Sequence, residues 1–336
     1  MAETILLTGG AGYIGSHTYL ALREAGFDVL ILDNFVNAKA DVPARLERIT
    51  GAPVAVLRGD VRDPDTLKAV FRDHRIDGVV HFAALKAVGE SMDMPIDYMQ
   101  TNIGGLLNLL KAMEEGGCRR LVFSSSATVY GDTRVQPIPE DHPRTATSPY
   151  AFTKLAGEQI LEQLTADWAV GILRYFNPVG AHRSALIGED PAGHPNNLVP
   201  YVAKVATGEL EEIQVFGDDY DTPDGTGIRD YIHVEDLAQG HALSLRALIE
   251  TGMGHTVNLG TGQGSTVLQV IEAYSAACGR ALPYRIAPRR AGDVAVLTAR
   301  PEQARDLLGF QATRTLDDMC RSSWAWVSGQ IRNATD

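Results

Sequence analysis

Cysteine is scarce in this sequence. Cys118, Cys278 and Cys320 are the only three in 336 residues, widely spaced and without a Cys-x-x-Cys pair. A disulfide scaffold and a thiolate metal cluster are thereby excluded, and buried thiols in a reducing cytoplasm are the expectation. No apolar run approaches the roughly 18–20 residues that a membrane span needs. Met1-Ala2-Glu3 leads straight into Ile5-Leu6-Leu7, without the basic start and longer apolar stretch of a secretory signal. Positive charge is in deficit: 30 Lys+Arg against 42 Asp+Glu give a net charge of −12 and a pI near 5.2. That field repels polyanions, so nucleic acid is excluded as a natural partner. It also means that an anionic ligand needs particular arginines to make a local positive pocket. Low-complexity tracts and repeats of roughly 20–50 residues are missing too, which removes collagenous, disordered and solenoid architectures.

What is present is 45% hydrophobic residues patterned as a globular α/β chain. Short apolar runs at 4–7, 29–32, 54–57, 78–82, 120–124 and 169–173 alternate with amphipathic stretches at 13–25, 64–72 and 101–115. Continuously apolar strands separated by helices predict a parallel sheet covered on both faces. After Arg174 the character changes: 177–230 is rich in Gly, Pro, Asn and Asp and reads as loops, which in a compact enzyme usually serve binding. Helical signal returns at 234–249 and 316–327, and 256–259 reads as a strand. The expected organisation is a sheet domain over 1–176 and a smaller domain over 177–336, with 234–260 folding back onto the first.

Gly9-Gly10-Ala11-Gly12-Tyr13-Ile14-Gly15 follows the first strand and opens the first helix. Glycines at 9, 12 and 15 let the backbone turn tightly, approach a pyrophosphate and pack helix on sheet. The helix N-terminus offers free N–H groups and partial positive charge to phosphates. Gly26 is placed to close that helix. An ordinary Gly-rich turn would look similar, but Asp33 ends the second strand, where a carboxylate can accept hydrogen bonds from a ribose. It would repel a 2′-phosphate, which favours NAD over NADP. Asp60, at the end of the third strand, is placed to reach an adenine. A phosphate-loop NTPase is excluded, since Gly15 is followed by Ser16-His17 and not by Lys-Ser/Thr.

Ser148-Pro149-Tyr150 starts a helix with a good N-cap and a proline at the first helical position. Lys154 follows Tyr150 by one turn, so both project from one face. Such a pair is commonly just solvated surface. Here Ser124-Ser125-Ser126 lies upstream at the carboxyl end of a strand, the edge where doubly wound sheets bind ligands. A phenol is a poor base near neutral pH, but an ammonium and an oxidised nicotinamide would lower its pKa by about two to three units. Ser126 would share the hydrogen bond to a substrate hydroxyl. Together these suit proton abstraction coupled to hydride transfer at a carbinol carbon.

The motifs Thr8-Gly9-Gly10-Ala11-Gly12-Tyr13-Ile14-Gly15, Ser124-Ser125-Ser126-Ala127-Thr128-Val129-Tyr130-Gly131 and Tyr150-x3-Lys154 resemble the extended short-chain dehydrogenase/reductases. His81-Phe82-Ala83-Ala84-Leu85-Lys86, Arg174-Tyr175-Phe176-Asn177-Pro178 and Gly225-Thr226-Gly227-Ile228-Arg229-Asp230-Tyr231-Ile232-His233-Val234 narrow the resemblance to UDP-sugar 4-epimerases of that family, from about residue 4 to about 310. The resemblance implies a Rossmann-type doubly wound parallel sheet with a smaller, irregular α/β substrate domain. It implies bound NAD, proton removal by Tyr150 with Ser126 and Lys154, and interconversion of UDP-glucose and UDP-galactose through a 4-keto sugar that rotates about its diphosphate. On the cofactor side it implicates Gly9, Gly12, Tyr13, Ile14, Gly15, Asp33, Asn34, Asn37, Asp60, Val61, Phe82, Ala83, Lys86, Asn102, Ser124, Tyr150, Lys154 and Tyr175. On the UDP-sugar side it implicates Lys86, Ser126, Tyr150, Phe176, Asn177, Asn197, Leu198, Phe216, Arg229, Tyr231, Arg290 and Asp293. The residue types agree in part: Arg229 and Arg290 can pair with a pyrophosphate, and Phe216 or Tyr231 offers an apolar face to uracil. A homodimer through a four-helix interface at 101–113 and 149–164 is also implied.

Neighbouring activities diverge at Ser126-Ala127-Thr128. The nucleotide-sugar 4,6-dehydratases resemble Thr-Asp-Glu there and UDP-glucuronate decarboxylases keep a carboxylate, so this chain lacks their extra acid or base. Leu297 falls where the family sets the width of the sugar pocket, and its intermediate size leaves UDP-N-acetylglucosamine or UDP-xylose 4-epimerisation open. A non-catalytic NAD-binding regulator is opposed by the intact Ser126, Tyr150 and Lys154. No metal site is expected, since His182 and His194 sit in a loop without a third ligand at useful spacing.

Overall fold

The structure is a computed structural model that describes residues 2–190, 197–290 and 293–335, the side chains beyond 330 apart. His194 lies outside the described residues. In chain order the strands are β1 (Thr4–Thr8), β2 (Asp28–Asp33), β3 (Ala55–Arg58), β4 (Gly78–His81), β5 (Arg120–Ser126), β6 (Ala169–Tyr175) and β7 (Asn177–Val179). They continue with β8 (Ile213–Phe216), β9 (Ile228–His233), β10 (His255–Leu259), β11 (Gly264–Thr266), β12 (Tyr284–Ala287) and β13 (Val296–Leu297). Seven of them form one sheet in the order β10-β6-β5-β4-β1-β2-β3, and every pairing in it is parallel.

Successive strand residues point to opposite faces, so each central strand divides its side chains between two cores. Ile5, Leu7, Ile31, Val80 and Val122 face one layer with Tyr19, Leu22, Leu46 and Leu245 of the helices Tyr13–Glu24, Val42–Thr50 and Val234–Thr251. Leu6, Leu30, Val79, Leu121 and Phe123 face the other with Leu67, Leu109, Met113 and Leu161 of the helices Pro64–Asp73, Gly105–Glu115 and Pro149–Leu161. The chain steps outward from β1 to β3, then returns across to β4. Loops after β1 and β4 therefore diverge and leave a crevice at the carboxyl edge.

Each expected strand of the first half is present within two residues of its predicted ends. The helix expected at 101–115 is α-helical only over Gly105–Glu115; its first part, Met99–Gly104, is a π-turn, which side-chain periodicity does not reveal. The segment 256–259 belongs to β10, the seventh strand, which pairs with β6. The stretch 177–230 is more ordered than its composition suggests. It contains β7, the helix Leu198–Thr207, β8 and the first half of β9. Its strands are short and its helix carries Pro200 in the first turn, so neither periodicity stood out. These elements make a sheet β11-β9-β13 with β7 against β9, and a pair β12-β8, over a separate core that includes Val202, Val215, Val270 and Tyr274. The architecture is α/β, a doubly wound parallel sheet with a smaller α/β unit.

Burial keeps several histidine rings neutral. Burial pushes the pKa of His17 and His81 down to about 3 and that of His233 and His241 down to about 4. In the unfolded chain each titrates near 6.5. Below that pH the unfolded state takes up protons that the folded state refuses, so this stability is full above about pH 6.5 and falls in acid. The slope is up to about 1.4 kcal/mol per histidine per pH unit. Thermal melting is expected to drop clearly between pH 7 and pH 5, before ordinary carboxylates titrate. An unchanged melting temperature over that window would contradict the assignment.

Candidate active site

The Gly-rich turn after β1 is closed by contacts that leave no room for side chains. Gly9 has φ +71, and a Cβ there would lie 2.7 Å from the backbone nitrogen of Ala83, at the end of β4. The Gly9 N–H donates to the Leu32 carbonyl at 2.8 Å, tying the turn to β2. A Cβ on Gly15 would collide with the Gly9 carbonyl oxygen and lie 2.8 Å from Gly10 Cα, so helix and turn are in backbone contact. Gly12 differs, because a Cβ would meet only the Gly9 oxygen at 3.2 Å and otherwise faces open space. The helix Tyr13–Glu24 begins there with no side-chain cap and no acidic residue in its first turn. The uncapped, positively polarised end suits a phosphate. Ile14 packs on the core, whereas the Tyr13 hydroxyl donates to the Gly180 carbonyl at 2.7 Å, joining this helix to the turn after β7.

Asp33 stands at the end of β2, where its Oδ2 accepts from the Ala11 N–H at 3.0 Å and its Oδ1 from the Phe35 N–H at 2.8 Å. Burial raises its carboxyl pKa and these bonds oppose the rise. Asp60 is held well below the usual carboxylate range by hydrogen bonds from Arg62, with burial opposing and Asn34 Nδ2 adding a bond at 2.9 Å. Arg62 was not singled out from the sequence. Asn37 is exposed beyond this pair, and Val61 is buried against Gly105. Phe82 packs on the His241 ring with centroids 4.7 Å apart, and Ala83 meets Gly9. Asn102, in the π-turn, accepts from the Leu85 N–H and donates to the Leu85 carbonyl and Thr153 Oγ1, at 2.8, 3.0 and 3.0 Å. It thereby clamps the loop after β4 to the helix Pro149–Leu161. Lys86 Nζ lies 3.8 Å from Glu189 Oε1, which also receives the Asn197 amide at 3.3 Å. Glu189, whose pKa is raised by burial, is a second residue the sequence reading did not identify.

At the carboxyl end of β5 the strand alternation sorts the serine triplet. Ser124 Oγ hydrogen-bonds the Tyr175 hydroxyl, Ser125 turns to the opposite layer and donates to Glu158, and Ser126 returns to the crevice. Ser148 caps the facing helix by accepting from the Ala151 N–H at 3.1 Å, with Pro149 in the first turn. The Tyr150 hydroxyl stands close to Ser126, whose hydroxyl favours the ionised phenol. Ser126 Oγ already accepts from the Thr128 N–H at 3.2 Å and hydroxyl at 3.0 Å, so its own hydrogen is available to the phenol oxygen. Lys154 Nζ donates to the Ser124 carbonyl at 2.7 Å and stands 5.9 Å from the Tyr150 ring centroid. Burial pushes the ammonium pKa down to about 8, with Glu158 opposing. The lowered phenol pKa expected with Lys154 and an oxidised nicotinamide together concerns the cofactor-loaded site; in the protein alone the shift is upward. Burial pushes Tyr150 up to about 12, and only the Ser126 hydrogen bond opposes it.

The residues expected to face a UDP-sugar gather on the smaller unit. Phe176 and Leu297 belong to one apolar cluster with Ala127 and Tyr130, immediately beside Ser126. Leu297 is the register partner of Arg229 in β13-β9, and Asn177 that of Tyr231 in β7-β9. Arg229 donates to the Val294 carbonyl at 2.9 Å and to Asp293 Oδ1 at 3.2 Å. The Arg290 guanidinium covers the Phe216 ring at 3.9 Å. Asn197 and Leu198 form the start of the helix Leu198–Thr207. Tyr231 is buried and packs in the core of the smaller unit. Among the described residues no group of three or more His, Cys, Asp or Glu could hold a metal ion.

A tyrosine–lysine–serine constellation at the crevice of a doubly wound sheet, beside a Gly-rich turn, defines a dinucleotide-dependent short-chain dehydrogenase/reductase class. Comparison with known proteins is narrower. The model of the NAD dependent epimerase/dehydratase family matches residues 5–260, and the chain belongs to that family. It is 50% identical over 330 residues to a UDP-glucose 4-epimerase of Bacillus subtilis, covering 97% of each chain. Among solved structures it is similar to a UDP-glucose-4-epimerase from Stenotrophomonas maltophila with bound NAD and formylated UDP-arabinopyranose. The TM-score is 0.97 at 50% identity, over 98% of this chain and 99% of that one. It is likewise similar to the Bifidobacterium longum UDP-glucose 4-epimerase in complex with NAD+ and UDP, with a TM-score of 0.92 at 50% identity over the same shares.

Gly15→Ala is expected to force the helix away from the turn, at a cost of about 1–3 kcal/mol. Melting would fall and copurifying or added dinucleotide would be lost. A variant that melts and binds like the wild type would show that the close approach is dispensable.

Proposed function

We infer that this chain is an isomerase that interconverts UDP-glucose and UDP-galactose at C4, with NAD as cofactor. The reading rests above all on Tyr150 with Ser126 beside it and Lys154 behind it, at the sheet edge where the Gly-rich turn opens. The cofactor-side residues fit a dinucleotide: an uncapped helix end at Gly12 for the pyrophosphate, and Asp33 at the ribose position with no basic residue in its place. NAD, when bound, supplies a hydride acceptor and donor for C4 and a positive charge near the phenol.

The remaining work falls to side chains of the chain. Tyr150 takes the proton of the 4-hydroxyl and later returns it to the 4-keto oxygen, whichever face of the sugar has turned toward the site. With its pKa near 12 in the protein alone, ionisation near pH 7 would cost roughly 7 kcal/mol, so it must be driven by nearby positive charge. Lys154 is the fixed part of that charge. Ser126 donates to the oxygen that holds less proton at each stage. Arg229 and Arg290 grip the diphosphate against the −12 field of the whole chain, and Phe216 and Asn177 line the nucleotide half. Gripping only the nucleotide leaves the 4-keto sugar free to turn. Phe176 and Leu297 supply an apolar wall past which it can swing.

Residues 1–176, with 234–260, form the cofactor half in this proposal, and the rest of 177–336 forms the substrate half. The chain works in the cytoplasm as a homodimer. The outer faces of the helices Val88–Asp93, Pro95–Tyr98, Gly105–Glu115 and Pro149–Leu161 leave Met92 62%, Ile96 70%, Leu107 49% and Phe152 47% exposed, and a second copy would cover them. Light scattering of the double variant Leu107→Glu/Phe152→Glu is expected to give a monomer where the wild type gives a dimer. A monomeric wild type would refute the pairing.

Purified protein given UDP-galactose is expected to yield UDP-glucose. Tyr150→Phe should lower kcat by on the order of 10³-fold or more while leaving NAD and UDP bound, because only the ionisable oxygen is lost. Near-normal turnover in that variant would exclude Tyr150 as the base.

A further inference from the structure

Glu158 is a buried carboxylate that the reaction outlined above does not use. It lies one turn beyond Lys154 on the helix Pro149–Leu161, with no exposed side-chain surface. Burying an ion this completely is costly unless every lone pair is engaged. Four bonds do so. Ser125 Oγ and Arg174 Nε donate to Oε1, while Arg174 Nη2 at 2.7 Å and Arg144 Nη1 at 2.8 Å donate to Oε2. Arg174 continues to the Tyr130 hydroxyl at 3.0 Å, which donates to Asn258 of β10 at 2.6 Å.

The arrangement grips one short piece of strand from both sides. Ser125 and Arg174 are register partners in β5 and β6, so the carboxylate ties the two strand ends together. The residue before Ser125 gives its carbonyl to Lys154, and the residue after it is Ser126. We propose that Glu158 is a positioning residue for the reaction: it fixes the end of β5 so that Ser126 and the Ser124 carbonyl meet Tyr150 and Lys154, and it lends Lys154 a neighbouring negative charge. This deepens the epimerase reading and rests on it.

The electrostatic part has a definite sign. Burial lowers the Lys154 pKa and Glu158 is what opposes it. The other charged or titratable groups around Lys154 do not supply a negative charge. Tyr150 on its own helix and Tyr175 on β6 are phenols raised by burial, His81 on β4 is neutral, Arg174 is a cation paired with Glu158, and Arg144 is a cation shared between Glu158 and the half-exposed Glu162. Removing the carboxylate therefore strips Lys154 of its stabiliser and leaves the Arg174 cation without its carboxylate, while Arg144 keeps Glu162. As a pair, Tyr150 and Lys154 would then give up their first proton at lower pH, and less of the singly protonated pair would exist as phenolate with ammonium.

The test compares wild type with Glu158→Gln by two readouts. The first is the Lys154 titration in ¹³C-lysine-labelled protein, its signal assigned by loss in Lys154→Met. The second is the pH profile of kcat/KM with UDP-galactose. In Glu158→Gln the Lys154 midpoint is expected to fall by about half a pH unit or more, with the acid limb of the profile moving the same way. At pH 7, kcat should drop by about tenfold with KM little changed. Should Glu158→Gln not fold, Arg144→Gln removes a partly exposed cation from the same carboxylate and should move the midpoint upward. An unmoved midpoint in folded Glu158→Gln, or a downward shift in Arg144→Gln, overturns the proposal. The two readings fail separately: a wild type inert toward UDP-galactose defeats the epimerase assignment, while the lysine titration still decides the role of Glu158.

Discussion

The central strands have no solvent face, and the rest follows from that constraint. β1, β4 and β5 bury one alternate set of side chains under each helical layer, so a polar or reactive group has nowhere to stand along their length. Chemistry is confined to strand ends. At those ends the reversal of strand order between β1 and β4 parts two loops, and the chain places Gly9 against Ala83 there, Asp33 one strand outward and the serine triplet one strand inward. The site is a by-product of how the sheet is wound, furnished with a few residues that could not be accommodated anywhere else.

The serine triplet shows how strand geometry assigns roles to identical residues. Ser124 and Ser126 face the crevice and touch tyrosines, whereas Ser125 faces a buried ion cluster. The same alternation that fills the hydrophobic layers separates reacting groups from the groups that hold them. Low dielectric sharpens both. It makes Tyr150 a stubborn acid and Lys154 a reluctant cation, and the protein answers with hydrogen bonds from Ser126 and to the Ser124 carbonyl.

Much of this was legible in the chain itself, because the determinants were local. Runs such as Ile5-Leu6-Leu7 announce a doubly buried strand, and Ser148-Pro149 announces the helix that carries Tyr150 and Lys154. The crevice side of the site was legible for the same reason, since its residues cluster within short motifs. What escaped depended on distant partners. Glu189 and Glu158 look like ordinary surface charges in one dimension, and only tertiary contact gives them a role. The strands of the smaller unit escaped because β7, β11 and β13 are two or three residues long and owe their existence to β9. The rise that burial imposes on the Tyr150 phenol is likewise invisible in the sequence, because it depends on what packs around the ring.

The seventh strand is separated from its neighbour by a long excursion. After β6 ends at Tyr175 the chain builds β7, β8, β9 and the helices Leu198–Thr207 and Val234–Thr251 before returning with β10 at His255. During synthesis the hydrogen-bonding edge of β6 therefore stays bare until residue 259 has left the ribosome. A nascent chain stalled within that interval carries an open parallel edge, the kind of surface on which like chains stack. Every residue inserted between the two strands lengthens the wait for that edge to close.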